Sequence, residues 1–346
     1  MGKFIQKGFA DFSKGTMSFG GQNLYVSKKG VLQRIFNFDT TGNGCFDIMI
    51  TNSHDYNEKP KLMLLKNPAS ENPVLQEVLT DGCHGAAVAD LNGDGYDDLI
   101  IVSRNNGHIS DLPAFVYYGG PDGITENHKI DLSAPGCCGV TCGDFNGDGR
   151  CDIAFIIEGG KLRIYTQEEI GFFRNGFVDL PIDLIQITAA DLDGDGYADL
   201  YCRVKNGPWI ILWGGPEGFD LERKTVVGPA TDDTMYNTLP FGGGNLGYYE
   251  EARPKVLKIK GENRLLYCGG TFASFYRVDA KTRTASVDFI LPVPGIISAG
   301  VGNISGKGTS DLVVLCKPTG GPLSSRPCRR YRCKREHDRK CCSAGG

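Results

Sequence analysis

The chain has 346 residues and a net charge of −4, and it contains 48 glycines and 17 prolines. Its length allows two domains, but so much glycine and proline is typical of short strands joined by tight turns. No apolar stretch reaches the roughly eighteen residues of a membrane-spanning helix, so no membrane span is expected. Residues 1–7 lack the apolar core of a secretory signal peptide.

The N-terminal element, at residues 23–32, has the pattern of a strand and turn that recurs at 161–166. It precedes the first acidic loop of the chain. Residues 1–34 are therefore predicted to be the outer strands of a ring-closing blade whose inner strands lie at the C-terminal end. Such closure leaves no unpaired strand edges.

Acidic loops come next, with oxygen-bearing side chains at positions 1, 3, 5 and 9. In the complete copies a glycine at position 6 permits a sharp bend. Alternating oxygens can enclose one hard cation, and calcium fits best because it accepts six to eight oxygen ligands. A weak copy comes first, at Asp39, Thr41, Asn43 and Asp47. Three complete copies follow, at Asp90, Asn92, Asp94 and Asp98, at Asp144, Asn146, Asp148 and Asp152, and at Asp191, Asp193, Asp195 and Asp199.

Two later copies have decayed. Residues 253–257 are predicted to be the strand after a loop near 247–255, with Lys255 at position 9, where an ammonium group ends the metal chemistry. The last copy, at 303–311, has Asn303, Ser305, Lys307 and Asp311. The first positions of all copies lie about 50 residues apart, a period typical of propeller blades.

This period predicts an all-β fold, a β-propeller of four-stranded blades over residues 35–316. Six repeats are readable, and a seventh blade is expected to be incomplete or ring-closing. The acidic loops join the first and second strands of each blade, so they share a face with the Gly-Gly-Pro turns at 119–123 and 214–218. The opposite face carries longer and more varied loops, where binding residues commonly lie.

The loops are not EF-hands. An EF-hand needs a glutamate at position 12 and flanking helices. Position 12 holds Ile101, Phe155 and Cys202, and the flanking runs are strand-like. The remaining alternative is that the loops are ordinary turns without metal, and this alternative is strongest for 39–47 and 303–311.

Residues 317–346 form a basic, cysteine-rich tail that is predicted to be disordered or an aberrant end of the chain. Its last 23 residues hold eight Lys/Arg and two acidic residues with a single aromatic side chain, so no nucleic-acid partner is expected. The chain has 13 cysteines. They form no obvious disulfide framework, and most are expected to be free and partly buried.

The sequences at 89–99, 143–152 and 190–199 resemble FG-GAP or VCBS repeats, the calcium-loop propeller repeats also found in integrin alpha subunits. The resemblance extends over about residues 20–315. It implies calcium at three loops, with a fourth candidate at 39–47, and it adds the position-7 main-chain oxygens of Tyr96, Arg150 and Tyr197 as ligands. It also implies seven blades and an extracellular or periplasmic location.

The predicted function is a calcium-stabilised binding or adhesion module for a carbohydrate or protein ligand. The ligand is expected on the face opposite the calcium loops, with Tyr56, His84, His108 and Trp209 as contacts. No nucleophile elbow, His-Glu-x-x-His helix or phosphate loop occurs, which favours a role without catalysis. Two alternatives are a propeller-based polysaccharide lyase or hydrolase and a structural segment of a larger surface protein.

Overall fold

A computed structural model describes thirteen parts of the chain. These are residues 23–26, 32–38, 47–50, 61–67, 71–106, 108–171, 173, 176–230, 254–268, 273–293, 296–302, 311–316 and 330–331. Within these ranges the structure is built from antiparallel strands, and one 3-10 turn at Glu158–Gly160 is its helical element. No helix of the described residues has the length and hydrophobicity needed to span a membrane.

The described strands form six sheets, and in every sheet the strands follow chain order. The first sheet contains β1 (Asn23–Val26), β2 (Leu32–Phe38), β3 (Asp47–Ile50), β4 (Leu62–Lys66) and β5 (Val74–Val78). The second contains β6 (Cys83–Ala89), β7 (Asp98–Ser103), β8 (Pro113–Tyr117) and β9 (Lys129–Ser133). The third contains β10 (Gly139–Gly143), β11 (Asp152–Ile156), β12 (Leu162–Tyr165) and β13 (Phe177–Leu180).

The remaining three sheets continue this order. The fourth contains β14 (Leu184–Ala190), β15 (Asp199–Val204), β16 (Pro208–Leu212) and β17 (Lys224–Ala230). The fifth contains β18 (Lys255–Ile259), β19 (Glu262–Tyr267), β20 (Ala273–Asp279) and β21 (Thr284–Leu291). The sixth contains β22 (Ile296–Gly302), β23 (Asp311–Cys316) and β24 (Arg330–Tyr331). Six sheets in up-and-down order confirm the six readable repeats and the propeller architecture.

The core lies between successive sheets. Every residue of β11 is buried, because side chains alternate between the two faces of a strand and each face meets a neighbouring sheet. Ile153 and Phe155 pack with Ile100 and Val102 of the preceding sheet. Ala154 and Ile156, on the other face, belong to the cluster shared with the following sheet. The outermost strand of the same sheet, β13, is exposed over three of its four residues by contrast.

The N-terminal strand differs from its prediction. β1 pairs antiparallel with β2, with Asn23 opposite Ile35 and Val26 opposite Leu32, so it extends the first sheet rather than the last. A hairpin to the next strand closes a far shorter loop than pairing with the C-terminal end, and short loops cost less entropy. The other residues of 1–34, except those of β2, lie outside the described ranges.

The fifth repeat also differs from its prediction. Lys255 opens β18, the first strand of its sheet and not the second. β18 joins β19 through Lys260 and Gly261, whose φ angles of 54° and 84° fit a two-residue hairpin turn. The acidic loop of this blade has therefore shrunk to a tight turn. A short apolar run cannot distinguish a first strand from a second, which explains the error.

Part of the C-terminal tail takes up strand structure. Arg330 lies opposite Val313 and Tyr331 opposite Leu312, so β24 adds a third strand to the last sheet. The unpaired N–H and C=O groups along β23 offer an edge for this pairing. The other residues of 317–346 lie outside the described ranges.

Candidate functional site

The bend of each acidic loop is held by the carboxylate at position 1. Oδ1 of Asp90 accepts hydrogen bonds from the main-chain N–H groups of Gly93 (2.8 Å) and Asp94 (3.2 Å), and Oδ2 accepts one from Gly95 (2.9 Å). Asp144 makes the three equivalent bonds at 2.7, 3.1 and 2.8 Å. A short polar side chain that satisfies nearby N–H groups is what stabilises such turns.

Positions 3 and 5 interlock in the first two complete loops. Asn92 accepts the N–H of Asp94 through Oδ1 at 3.1 Å, and its Nδ2 donates to Oδ2 of Asp94 at 2.9 Å. Asn146 and Asp148 repeat both contacts at the same distances. Two carboxylates and an amide oxygen thus gather at one exposed bend, a donor set that suits calcium.

The aspartate at position 9, also an expected calcium ligand, is buried in each complete loop. Asp98, Asp152 and Asp199 are each 0 % exposed. Oδ2 of Asp98 accepts the N–H of Leu91 and Oδ1 accepts that of Gly119, both at 2.7 Å. The other two aspartates bond equivalent N–H groups at 2.8 to 3.1 Å. We call these three side chains the brace aspartates, because each ties its loop to the segment that follows the third strand of its blade.

Burial raises the pKa of Asp98 and Asp199 to about 7 and that of Asp152 to about 6. The main-chain hydrogen bonds act in the opposite direction, and the carboxylates at positions 1 and 5 (for Asp199, at positions 3 and 5) raise the pKa further. The loops therefore crowd negative charge that a bound cation would stabilise.

The first glycine of each Gly-Gly-Pro turn is required by the contact of the turn with a brace aspartate. Gly119 and Gly214 donate to Asp98 and Asp199 at 2.7 and 2.9 Å. A Cβ atom at Gly119 would lie 2.4 Å from the carbonyl oxygen of Asp97, and one at Gly214 would lie 2.5 Å from that of Ala198. Any side chain would force the turn away from the loop. This turn therefore recurs because its main chain lies close to the main chain of the acidic loop.

The third complete loop carries a cation from the next blade. Carboxylate oxygens of Asp191, Asp193 and Asp195 lie within 4.8 Å of one another, close enough to share one metal ion. Arg283, in the turn between β20 and β21, reaches two of them, Asp193 at 2.6 Å and Asp195 at 2.8 Å. The repeat pattern does not identify this arginine. Its one signal was aspartate at position 3, where the other two complete loops have asparagine.

Each complete loop is covered by the blade that follows it. Gln167, after β12, donates from Nε2 to the carbonyl oxygen of Leu91 at 2.8 Å. At the second loop, Ala198 donates its N–H to the carbonyl oxygen of Asp144 at 2.7 Å, and the rings of Phe145 and Phe219 meet at 5.3 Å. The loops consequently lie at the junctions between blades.

The weak copies are described only at position 9. Asp47 is 0 % exposed, and its Oδ1 accepts the N–H of Asn67 at 3.0 Å, which matches the brace geometry. Asp311 is 3 % exposed. The other positions of these copies, Asp39, Thr41, Asn43, Asn303, Ser305 and Lys307, lie outside the described residues.

The strand register places two of the expected ligand contacts at the end of the blade opposite the acidic loops. Cys83 pairs with Ser103 at one end of β6, whereas Ala89 pairs with Asp98 at the loop end. His84 and the 104–112 segment therefore share the first end. His108 is exposed and its N–H donates to Asn106, while Nδ1 of His84 lies 3.1 Å from the main-chain nitrogen of Arg104. Tyr56 lies outside the described residues.

Trp209 was wrongly predicted to contact a ligand. Its side chain is 0 % exposed, and its ring lies 4.9 Å from Tyr267 of the next blade and 5.8 Å from Tyr201. Covering by the next sheet makes Trp209 a core residue at the junction. Its position at the start of a strand near a loop does not reveal that cover.

The cysteines next to the expected binding face are built into the core. Sγ of Cys83 and Sγ of Cys137 each donate to the carbonyl oxygen two residues ahead, both at 3.3 Å. Burial raises the pKa of Cys137 well above its ordinary value, which makes that thiol a poor nucleophile. Cys137, Cys142, Cys151 and Cys202 are free thiols.

Comparison with known proteins agrees with this architecture. A family model described as FG-GAP-like repeat matches residues 90–155 and 144–202. A crystal structure of BBS1N in complex with ARL6DN, soaked with lead, is similar with a TM-score of 0.50 at 9 % identity, covering 85 % of this chain and 84 % of that one. At this identity the likeness shows the fold alone.

Two further solved structures have TM-scores of 0.49. A lectin of Agrocybe aegerita that recognises non-reducing terminal N-acetylglucosamine is 16 % identical and covers 82 % of this chain and 74 % of its own. The Dos1 propeller is 10 % identical, with coverages of 87 % and 71 %. No curated protein matches the sequence. The chain therefore contains FG-GAP-like repeats, matched over residues 90–202, and these repeats build successive blades of a β-propeller.

Proposed function

We propose that the protein is a calcium-stabilised β-propeller that acts as a binding or adhesion module for a carbohydrate or protein ligand. The observation that carries the calcium part is the repeated geometry of the first two complete loops. In each, a position-1 carboxylate closes the bend, and positions 3 and 5 bring an amide oxygen and a second carboxylate beside it. Turns without a ligand do not require acid at both positions 1 and 5.

Asp90, Asn92 and Asp94 would hold one ion, and Asp144, Asn146 and Asp148 a second, with the main-chain oxygens of Tyr96 and Arg150. A bound calcium ion supplies positive charge to carboxylates that otherwise repel one another. Since the loops lie at blade junctions, fixing their conformation stabilises the packing of one sheet on the next. The role is structural, because the ligand oxygens already bond the main chain of their own loop.

Calcium is expected to raise the stability of the protein. An ion that binds only the folded chain adds about 2.7 kcal/mol per site at 100 times its dissociation constant. Urea unfolding in excess calcium and in chelator measures the difference. Asp94→Asn should reduce this calcium-dependent stabilisation by about the contribution of one site. The amide keeps an oxygen that accepts the N–H of Tyr96, but the variant loses the negative charge.

Asp122→Asn is the matched control, since Asp122 is an exposed acid of the neighbouring turn and lies outside the loop. It should leave the calcium effect unchanged. The calcium proposal fails if chelator does not shift the unfolding midpoint of the wild-type protein, or if Asp122→Asn reduces the shift as much as Asp94→Asn does.

The ligand is proposed to dock on the face opposite the acidic loops. The support is that His84 lies at the same end of its blade as residues 108–111, of which His108, Ile109 and Asp111 are exposed. Within this segment His108 and Ile109 are exposed, and both N–H groups bond Oδ1 of Asn106. The segment thus presents a polar and an apolar side chain on a fixed backbone, which suits recognition of a sugar or a protein surface.

His108→Ala is expected to weaken ligand binding at least severalfold, measured on a glycan array and by titration of the ligand that the array or a protein-interaction screen identifies. His128→Ala is the control, because His128 is also exposed but lies in the turn between β8 and β9, on the acidic-loop side. Loss of binding in His128→Ala with retention in His108→Ala would place the ligand on the other face.

A further inference from the structure

The third complete loop differs from the other two in one residue that matters for charge. Position 3 is asparagine at 92 and 146 but aspartate at 193. In the first two loops the amide nitrogen at position 3 donates to the carboxylate at position 5. Asp193 has no such donor, so two carboxylates face each other and repel.

Arg283 supplies the missing donors. Its Nε donates to Oδ2 of Asp193 at 2.6 Å, and its Nη2 donates to Oδ2 of Asp195 at 2.8 Å. Oδ1 of each aspartate accepts a main-chain N–H of the loop instead. The guanidinium group therefore takes the two oxygens that the loop leaves for a cation.

The arginine is held in place by its own surroundings. Its main-chain carbonyl accepts a hydrogen bond from Oγ1 of Thr225 at 2.5 Å, and the same Oγ1 accepts one from Nε1 of Trp213 at 3.0 Å. The guanidinium lies over the ring of Trp213, 5.0 Å from its centroid. Thr225 thus holds the main chain of Arg283, and the ring of Trp213 lies against its guanidinium group.

The burial fits a permanent contact. The side chain of Asp193 is 3 % exposed and that of Arg283 is 32 % exposed, so the pair is shielded more than a surface ion pair. Arg150 offers a contrast: it contacts one carboxylate, Asp148, from position 7 of its own loop. We infer that Arg283 occupies the cation position of the 191–199 loop, so that this junction is closed by a guanidinium group and not by a metal ion.

This inference deepens the calcium proposal and rests on it for the contrast with the 90–98 and 144–152 loops. It predicts that removing the arginine creates a metal site. Terbium, a luminescent stand-in for calcium, reports this directly, because Trp213 lies beside the loop and can sensitise an ion bound there. Under excitation of tryptophan alone, Arg283→Gln should show emission severalfold above the wild type, and equilibrium dialysis should find one more calcium ion per chain.

Three further variants complete the test. Arg277→Gln removes the same charge from the same blade, at an exposed side chain that pairs with Asp288, and should match the wild type. Asp193→Asn combined with Arg283→Gln recreates the position-3 asparagine of the other loops, so it should bind the additional ion even if the single variant folds poorly. Adding Asp195→Asn should abolish the gain.

The inference is overturned if neither Arg283→Gln nor the double variant Asp193→Asn/Arg283→Gln binds more metal than the wild type. It is also overturned if the wild type already gives tryptophan-sensitised emission that Asp195→Asn removes. A wild type that binds no ion at all would refute the calcium proposal for the other loops, yet a gained ion in Arg283→Gln would still support the inference.

Discussion

Replacing Trp209 by alanine is expected to destabilise the protein by about 4 kcal/mol, because truncating a buried tryptophan removes its packing and leaves a cavity. The ring is fully buried between Tyr201 and Tyr267, so the loss falls on the junction between the fourth and fifth sheets. Urea unfolding at fixed calcium concentration measures it.

Trp209→Phe is the informative partner. The indole Nε1 is buried and has no hydrogen-bond partner among the described residues, which costs free energy in the wild type. Phenylalanine removes that N–H, offsetting part of the lost volume, and should cost no more than about 1.5 kcal/mol. If Trp209→Ala is as stable as the wild type and has lost only ligand binding, then Trp209 contacts the ligand and the assignment of Trp209 to the core is wrong.

Replacing Asp98 by alanine is expected to cost roughly 2–6 kcal/mol. The variant leaves the N–H groups of Leu91 and Gly119 without their acceptor in a buried setting, and each unsatisfied group costs about 1–3 kcal/mol. Because this brace acts through main-chain hydrogen bonds, most of the loss should persist in chelator. Asp98→Asn keeps one acceptor oxygen and should lie between alanine and the wild type.

Asp94→Ala in the same loop is the control for Asp98→Ala, since its carboxylate is at the exposed bend. The loss of unfolding free energy caused by Asp94→Ala should be small in chelator and much larger in calcium. If Asp98→Ala also shows its loss only with calcium, then position 9 acts as a metal ligand and the brace is not its main role.

Much of the fold could be predicted because the repeat marks the same points of each blade. In the three blades with complete loops an aspartate opens the second strand, at Asp98, Asp152 and Asp199, with apolar runs on both sides. These positions determine which strands are central and which end of a blade carries the acidic loop. The composition of the Gly-Gly-Pro segments predicts turns. It does not predict why the first glycine is needed, because that depends on the close approach of the turn to its brace aspartate in the folded blade.

The errors come from contacts that a linear pattern does not contain. Lys255 begins β18, and only the pairing with neighbouring strands determines whether β18 is the first or the second strand of its sheet. Trp209 is covered by Tyr267 from the following blade, 58 positions later by the numbering of the chain. Arg283 meets Asp193 across 90 positions. Only the local aspartate substitution could have hinted at the arginine, and it does not identify the partner.

The closure of each junction by a different chemistry has a consequence for how the molecule comes apart. The blade that follows contacts one acidic loop through a glutamine, another through an edge-to-face pair of aromatic rings, and the third through a guanidinium group. Each of these junctions joins only adjacent blades. On the proposed assignment of calcium to the first two complete loops, removal of calcium would weaken those two junctions and leave the arginine-bound junction unchanged. Local unfolding would then begin at particular blade junctions and not throughout the molecule at once, as in repeat proteins whose units contact only their neighbours.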